Sequence, residues 1–373
     1  MDKKILLIIV LSSIVIILFA IFIAITQKTS YSPKNTSLEE CKNIVYNGEN
    51  AFNILFFSTK EDAKRYSDFF FQTNPFNENK KYFNVYYIDS FIPDCEIYKG
   101  IAILCYSKEV LKKASSCPND YIVILKKEER VIRSSSYMNV LSINTNHPLS
   151  VFSHEFGHSF ANFAEEYVPA QIPKGSKNCL FSCKEFGEPK DGCYKECSKS
   201  DAYRSIENGV MRTLSSNKYG AYNERLLLEK INRKNETKTT GRVISGQEKD
   251  CSRENYYLIE AKYEDNKIKL IHKSIENGCF GDNGAGPFTY KIIKTDNSEI
   301  HGTEFNPELI FTDSPGEDPA MNYEINGETY LQERSFFLRV PEIPNSKTLE
   351  INLNENKIGE INLFDIGARP CLE

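Results

Sequence analysis

The stretch that most constrains this chain is His154-Glu155-Phe156-Gly157-His158. Positions i and i+4 of an α-helix lie one above the other on the same face, so a helix here aims both imidazoles at one point. Two converging nitrogens are what a zinc ion takes as its first two ligands. Glu155 lies about 100° round the helix from His154, off the ligand axis. It can still reach a water held at the metal and take its proton as general base. Phe152, Phe156 and Phe160 repeat at i, i+4, i+8. That spacing predicts one packed helix face, with the imidazoles on the other side facing a cleft. Pro148 suits the first turn of such a helix, and Ser150 could cap a slightly later start. With five histidines in 373 residues, chance is a poor explanation of the pattern. The bland alternative is a helix surface carrying two ordinary histidines.

The third ligand is less plainly written. A metzincin site takes a third histidine six residues after the second, beyond a glycine that turns the chain. That position here is Ala164, and no histidine occurs between His158 and His272. A carboxylate is therefore the expected donor. In an unbroken helix Glu165 would lie about 10 Å along the axis from His158. Its use requires the chain to break first, and Asn162, of a residue type that enters the left-handed region readily, is the expected breaker. Phe163 and Tyr167 argue the other way, because they would continue the apolar stripe. Glu165 is preferred, with Glu166 as the alternative and Glu185, Glu188 and Glu196 behind them.

The run from His154 to Phe160, followed by Ala164-Glu165-Glu166-Tyr167, resembles the IgA-peptidase family of zinc metallopeptidases. That family shows a Gly-Leu-Ala-Asp-Glu-Tyr ending, where this chain has Asn162 for the glycine and Glu165 for the aspartate. Tyr82-Phe83-Asn84-Val85-Tyr86 and Asp120 to Leu125 resemble two strands preceding the family's zinc helix. Tyr203-Arg204-Ser205, Val210-Met211-Arg212 and Tyr219-Gly220 resemble its closing segment. The likeness runs from residue 46 to about 230 and implies an extracellular or surface endopeptidase, without implying that antibody is the substrate. Metzincins also place a methionine in a turn beneath the metal. Asn208-Gly209 signals a turn just ahead of Met211, which takes that role on the resemblance and is otherwise an ordinary core methionine. Tyr219 is a candidate donor to an oxyanion.

A net charge of −5, with no long basic block and no Gly-rich phosphate loop, speaks against a nucleic-acid partner. Residues 5–25 are uncharged and almost wholly apolar, long enough for a transmembrane helix that anchors the chain in a membrane. Lysines flank both ends of that segment, so the cysteines decide the orientation. Eleven cysteines point to an oxidising, extracellular compartment. Cys179, Cys183, Cys193 and Cys197 are spaced for two antiparallel helices stapled by two disulfides, with a structural zinc site as the alternative. Cys251 and Cys279 are a further candidate pair.

The expected organisation is a membrane anchor (1–28), a polar stalk (29–45), a zinc metallopeptidase domain (46–234) with a Cys-rich insert (179–197), and a β-sandwich domain (241–373). In fold class this is α+β: an α/β-like zincin domain with a mixed sheet and zinc helix, an all-β sandwich after it, and an N-terminal transmembrane helix. Strands are expected at Phe52–Phe57, Phe83–Ile88, Ile101–Tyr106 and Tyr121–Leu125, and helices at Lys60–Phe71 and Ser107–Ser115. An edge strand bordering the cleft is expected within Val131–Asn144. The function these features support is zinc-dependent hydrolysis of a protein or peptide substrate, with Glu155 as base and His154, His158 and Glu165 on the metal. Two alternatives remain: a surface binding protein with a vestigial zinc helix, or a zinc amidase acting on cell-envelope material.

Overall fold

The structure, a computed structural model, describes residues 38–238, 250–313, 328–330 and 335–364. Its first part runs Lys42–Val45 (β1), Phe52–Phe57 (β2), Lys60–Phe70 (α1) and Phe83–Ile88 (β3). A small hairpin, Glu96–Tyr98 (β4) with Ala102–Leu104 (β5), leads to Lys108–Ala114 (α2) and Tyr121–Lys126 (β6). Ser135–Tyr137 (β7) turns tightly into Val140–Asn144 (β8), and Ser150–Ala161 (α3) follows. A hairpin of Tyr194–Cys197 (β9) and Lys199–Arg204 (β10) precedes Ala221–Lys238 (α4). The expected strands and helices of this part form with ends within two residues of those read from the sequence, the largest difference being Ile101–Tyr106, which shortens to Ala102–Leu104; α4 is an addition to them.

Strands β2, β3 and β6 are almost continuously apolar, as strands covered on both faces must be. They pair in parallel with one another and with β8, in the order β3-β2-β6-β8. Alternation along β2 sends Phe52, Ile54 and Phe56 to the face that carries α1 and α3, and Leu55 and Phe57 to the face that carries α2. Thr59 caps α1 by accepting from the Asp62 N–H, and Glu61 and Asp62 sit in its first turn, where the helix dipole favours acids. The Phe152, Phe156 and Phe160 stripe packs as its spacing predicts. Phe152 meets Phe56 at 5.5 Å, Phe160 meets Phe52 at 5.1 Å, and Phe156 meets Phe70 at 4.8 Å between ring centroids. These aromatic contacts fix α3 against the sheet and so fix where its other side points.

The C-terminal part consists of Asn255–Glu264 (β11), Lys267–Asn277 (β12), Phe288–Lys294 (β13), Glu299–His301 (β14), Leu309–Thr312 (β15), Glu328–Tyr330 (β16), Ser335–Pro341 (β17), Ser346–Leu353 (β18) and Asn356–Asn362 (β19). Two antiparallel sheets, β12-β11-β17 and β14-β13-β18-β19, share one apolar core that includes Ile259, Phe288, Leu338 and Ile351. Strands β15 and β16 belong to neither. They continue the first sheet, whose full order is β1-β3-β2-β6-β8-β7-β15-β16.

The expected fold class is therefore corrected: the molecule is a mixed α+β structure of several sheets, not a zincin-like domain with a separate sandwich after it. Besides β15 and β16, Tyr256 and Leu258 of β11 enter the core on the α2 face of the first sheet. The Tyr106 hydroxyl donates to the Phe337 carbonyl at 2.9 Å and accepts from the Phe337 N–H at 2.8 Å. Fully buried Arg339 donates to Asn119 across the same junction. No helix among the described residues is long and apolar enough to cross a membrane, and the expected transmembrane helix, residues 5–25, falls outside them.

Five disulfides are present among the described residues: Cys41–Cys117, Cys95–Cys105, Cys179–Cys197, Cys183–Cys193 and Cys251–Cys279. The insert is stapled by two of them, but not as two helices. It holds a 3-10 turn at Cys183–Phe186 and the β9–β10 hairpin. Cys371 lies outside the described residues.

Candidate metal centre

Helix α3 has no side-chain cap. Leu149 precedes it, and Ser150 instead donates its hydroxyl to the Leu214 carbonyl. The helix ends where Asn162 adopts left-handed backbone angles, φ 53° and ψ 37°. The Asn162 N–H still bonds the His158 carbonyl at 2.9 Å, and the Phe163 N–H returns to the Gly157 carbonyl at 3.4 Å. This reversal carries Glu165 back beneath the two imidazoles, so Phe163 and Tyr167 do not extend the stripe.

His154, His158 and Glu165 then form a three-donor cluster. The Nε2 atoms of the two histidines lie 3.2 Å apart. Glu165 Oε1 is 3.0 Å from His158 Nε2, and Oε2 is 3.3 Å from His154 Nε2. Donors about 2.0–2.1 Å from a tetrahedral ion lie roughly 3.3 Å from one another, so these separations suit a shared zinc. The outer ring nitrogens set the tautomer. His154 Nδ1 is 2.8 Å from the Val210 carbonyl and His158 Nδ1 is 2.6 Å from the Phe163 carbonyl. A carbonyl oxygen only accepts, so both Nδ1 atoms carry hydrogen and both Nε2 lone pairs face the centre. Both oxygens of Glu155 and both of Glu165 are buried without a hydrogen-bond partner. Bare lone pairs and buried carboxylates facing one point are costly unless a cation sits among them, and the donor set therefore fits zinc.

Burial drives the Glu155 carboxyl well above the ordinary carboxylate range. Glu166 points elsewhere. Burial raises it to about 7, against hydrogen bonds to Oε1 from Asn223 at 2.8 Å and Asn178 at 3.2 Å. Its backbone N–H donates to the Met211 carbonyl at 2.8 Å, and its carbonyl accepts from Arg212 at 2.8 Å. Glu166 thus ties the segment carrying Glu165 to the turn carrying Met211.

Met211 is fully buried beneath α3. A Cβ added at Gly157 would lie 2.7 Å from Met211 Sδ, so the glycine between the two histidines is what lets this turn approach the helix. Tyr219 is corrected as an oxyanion donor. Its ring is fully buried against Phe76 and Phe163, and its hydroxyl donates to the Ser153 carbonyl. A proton committed there cannot meet a substrate.

Three positions escaped the sequence reading. Asn178 grips both sides of Ala164, accepting from its N–H at 2.7 Å and donating to its carbonyl at 2.9 Å. Ser198 donates to the Glu165 carbonyl at 2.6 Å. Each is next to a member of the Cys179–Cys197 disulfide, and that adjacency was the only signal. Phe311 of β15 stacks on the His158 ring, with centroids 4.3 Å apart and planes 15° from parallel. The expected open cleft is absent: His154, Glu155 and Glu165 are 0% exposed and His158 1%. A cleft of about 540 Å³ lies elsewhere, between α4 and the loops at Phe280–Gly284 and His301–Glu304.

No protein-family model matches this sequence, and no curated protein matches it.

Proposed function

We propose that the chain is a zinc-dependent hydrolase of peptide bonds, with His154, His158 and Glu165 as metal ligands and Glu155 as the proton carrier. The observation that carries this reading is the cluster itself: three donor atoms 3.0–3.3 Å apart, both imidazoles fixed by backbone carbonyls, and an unpartnered buried carboxylate beside them. When bound, zinc supplies a Lewis acid that polarises a carbonyl and acidifies water. The rest is done by the chain. Val210 and Phe163 hold the imidazoles in the tautomer that offers Nε2, while Asn178 and Ser198 hold the backbone that aims Glu165. Glu155, raised by burial, is suited to take a proton from water and hand it to a departing amine. The resemblance to the IgA-peptidase family supports the choice of peptide bonds over other acyl groups, and the five disulfides support work in an oxidising compartment. The reading is tested by titrating metal-free full-length chain with zinc and assaying a quenched fluorescent peptide library with and without chelator. One zinc per chain and chelator-sensitive cleavage are expected. Cleavage that survives complete removal of metal sinks the proposal.

A further inference from the structure

The centre is closed, and what closes it is a strand from 150 residues further along the chain. Strand β15 pairs antiparallel with β7, with Ile310 opposite Tyr137, Phe311 opposite Ser136 and Thr312 opposite Ser135. Strand β7 is in turn paired with β8 on its other side. Without β15 and its outer neighbour β16, β7 would be the edge of the sheet beside the metal helix, with one row of N–H and C=O groups free. Such an edge takes an extended peptide by strand addition. Ser136 also touches the helix directly, its hydroxyl 2.8 Å from that of Ser159, one residue past His158.

Resting on the proposed hydrolase reading, we propose that Leu309–Thr312 occupies the groove in which a substrate strand pairs, and that it holds the enzyme latent until displaced. The substrate class follows from the register. It is an extended polypeptide lying antiparallel to β7, with a large apolar or aromatic residue opposite Ser136, in the place where Phe311 covers His158. The strand is built to be retained yet separable. Its pairing with β7 spans three residues, and its ends are tied by side chains outside the zinc ligands. The Tyr137 hydroxyl donates to the Pro307 carbonyl at 3.0 Å and the Tyr167 hydroxyl to the Thr312 carbonyl at 3.2 Å. Beyond the last residue, Asp313 pairs with His147 at 2.5 Å.

The test uses zinc-loaded full-length chain, the variants Phe311→Ala and His147→Gln, and three readouts: zinc loss to 1,10-phenanthroline, amide exchange of residues 135–137, and cleavage of the peptide library. Phe311→Ala should keep one zinc, lose it to chelator at least about 10-fold faster, exchange these amides faster and cleave peptides at least about 10-fold faster. His147→Gln leaves the aromatic packing in place and should speed chelation several-fold, which decides the matter should Phe311→Ala fail to fold. A free peptide of residues 307–313 should inhibit Phe311→Ala competitively and leave the wild type unaffected. Unchanged chelation and exchange in both variants overturn the proposal, as does slower cleavage by Phe311→Ala, which would make β15 a fixed wall of the site. Faster chelation without cleavage in any form upholds the cover and sinks the hydrolase reading. Equal chelation and equal cleavage in wild type and variants do the reverse.

Discussion

His154–Glu166 and Leu309–Asp313 meet over the same three donor atoms, but they are held there by different means. The first segment is local. Three residues of helix separate the imidazoles, a left-handed residue reverses the chain, and Glu165 arrives three positions later. Its polar groups are fixed by backbone carbonyls at Val210 and Phe163 and by the amide of Asn178. The second segment offers the centre no donor atom. It contributes a ring stacked on His158 and is positioned by pairing with β7. On the proposed reading, the first segment decides whether a cation is held, and the second decides what reaches it. Changes in one should therefore move metal affinity and turnover, and changes in the other should move access.

The largest expected effect breaks the first segment without touching a ligand. Glu155→Ala should retain one zinc per chain and lose about 100-fold to 10,000-fold in turnover, the range for loss of a positioned base. Undiminished cleavage by a zinc-loaded Glu155→Ala protein removes this residue from the chemistry. Next comes the pair Glu165 and Glu166. Glu165→Ala should weaken zinc binding by more than about 100-fold, above the roughly 10–100-fold that loss of a supporting partner costs. Glu166→Ala should stay within that supporting range, because its carboxylate faces Asn178 and Asn223 rather than the imidazoles. Zinc titration in competition with a chelator of known affinity reads both, and the reverse ranking would transfer the ligand role to Glu166.

The difference in legibility between the two segments has the same physical origin. The helix, the break at Asn162 and the return of Glu165 are set by residues within a dozen positions of one another, where period and turn preference are informative. That the four cysteines of the insert form two disulfides was readable from their number and spacing, although neither the pairing nor the local structure around them was. The x3 spacing of the cysteines suits a helical turn, yet the segment forms a 3-10 turn and a hairpin because its cross-links bridge backbones brought together from either end. Strand β15 carried no signal of its destination. Leu309-Ile310-Phe311-Thr312 reads as one more short strand of the C-terminal part, and nothing in four residues says which sheet will take it. Tyr219 failed for a related reason: a tyrosine near a metal motif in sequence can face the core as readily as the site, and burial against Phe76 decided it.

A third change separates positioning from packing. Cys179→Ser with Cys197→Ser removes a cross-link spanning 18 residues and should cost about 3 kcal/mol of stability. It should also weaken zinc binding, because Asn178 and Ser198, beside the two sulfurs, hold the backbone of Ala164 and Glu165. Cys183→Ser with Cys193→Ser opens the neighbouring bridge, which spans 10 residues, and should lower stability while leaving zinc affinity within about 2-fold. Chemical denaturation and zinc competition on the two double variants check this. Equal losses of affinity would mean that the insert acts only through global stability.

The smallest expected effect lies at the end of the covering strand. His147 and Asp313 form a nearly buried ion pair, and the other imidazole nitrogen faces the Arg130 carbonyl at 3.0 Å. Both ring nitrogens therefore meet acceptors, which favours the charged ring. Burial opposes that charge and Arg130 repels it, but the Asp313 carboxylate outweighs both and raises the His147 pKa above the ordinary imidazole value. A raised folded-state pKa contributes stability that is fully present below the unfolded value, near 6.5, and is lost as pH rises through the folded value. His147→Gln should therefore cost about 1 kcal/mol in acid, roughly 2–4 °C in Tm, and less as the medium becomes alkaline. Melting wild type and variant side by side from pH 5.5 to pH 9 tests the sign. A gap that widens with rising pH would show that the neutral ring, not the ion pair, holds this end of the strand.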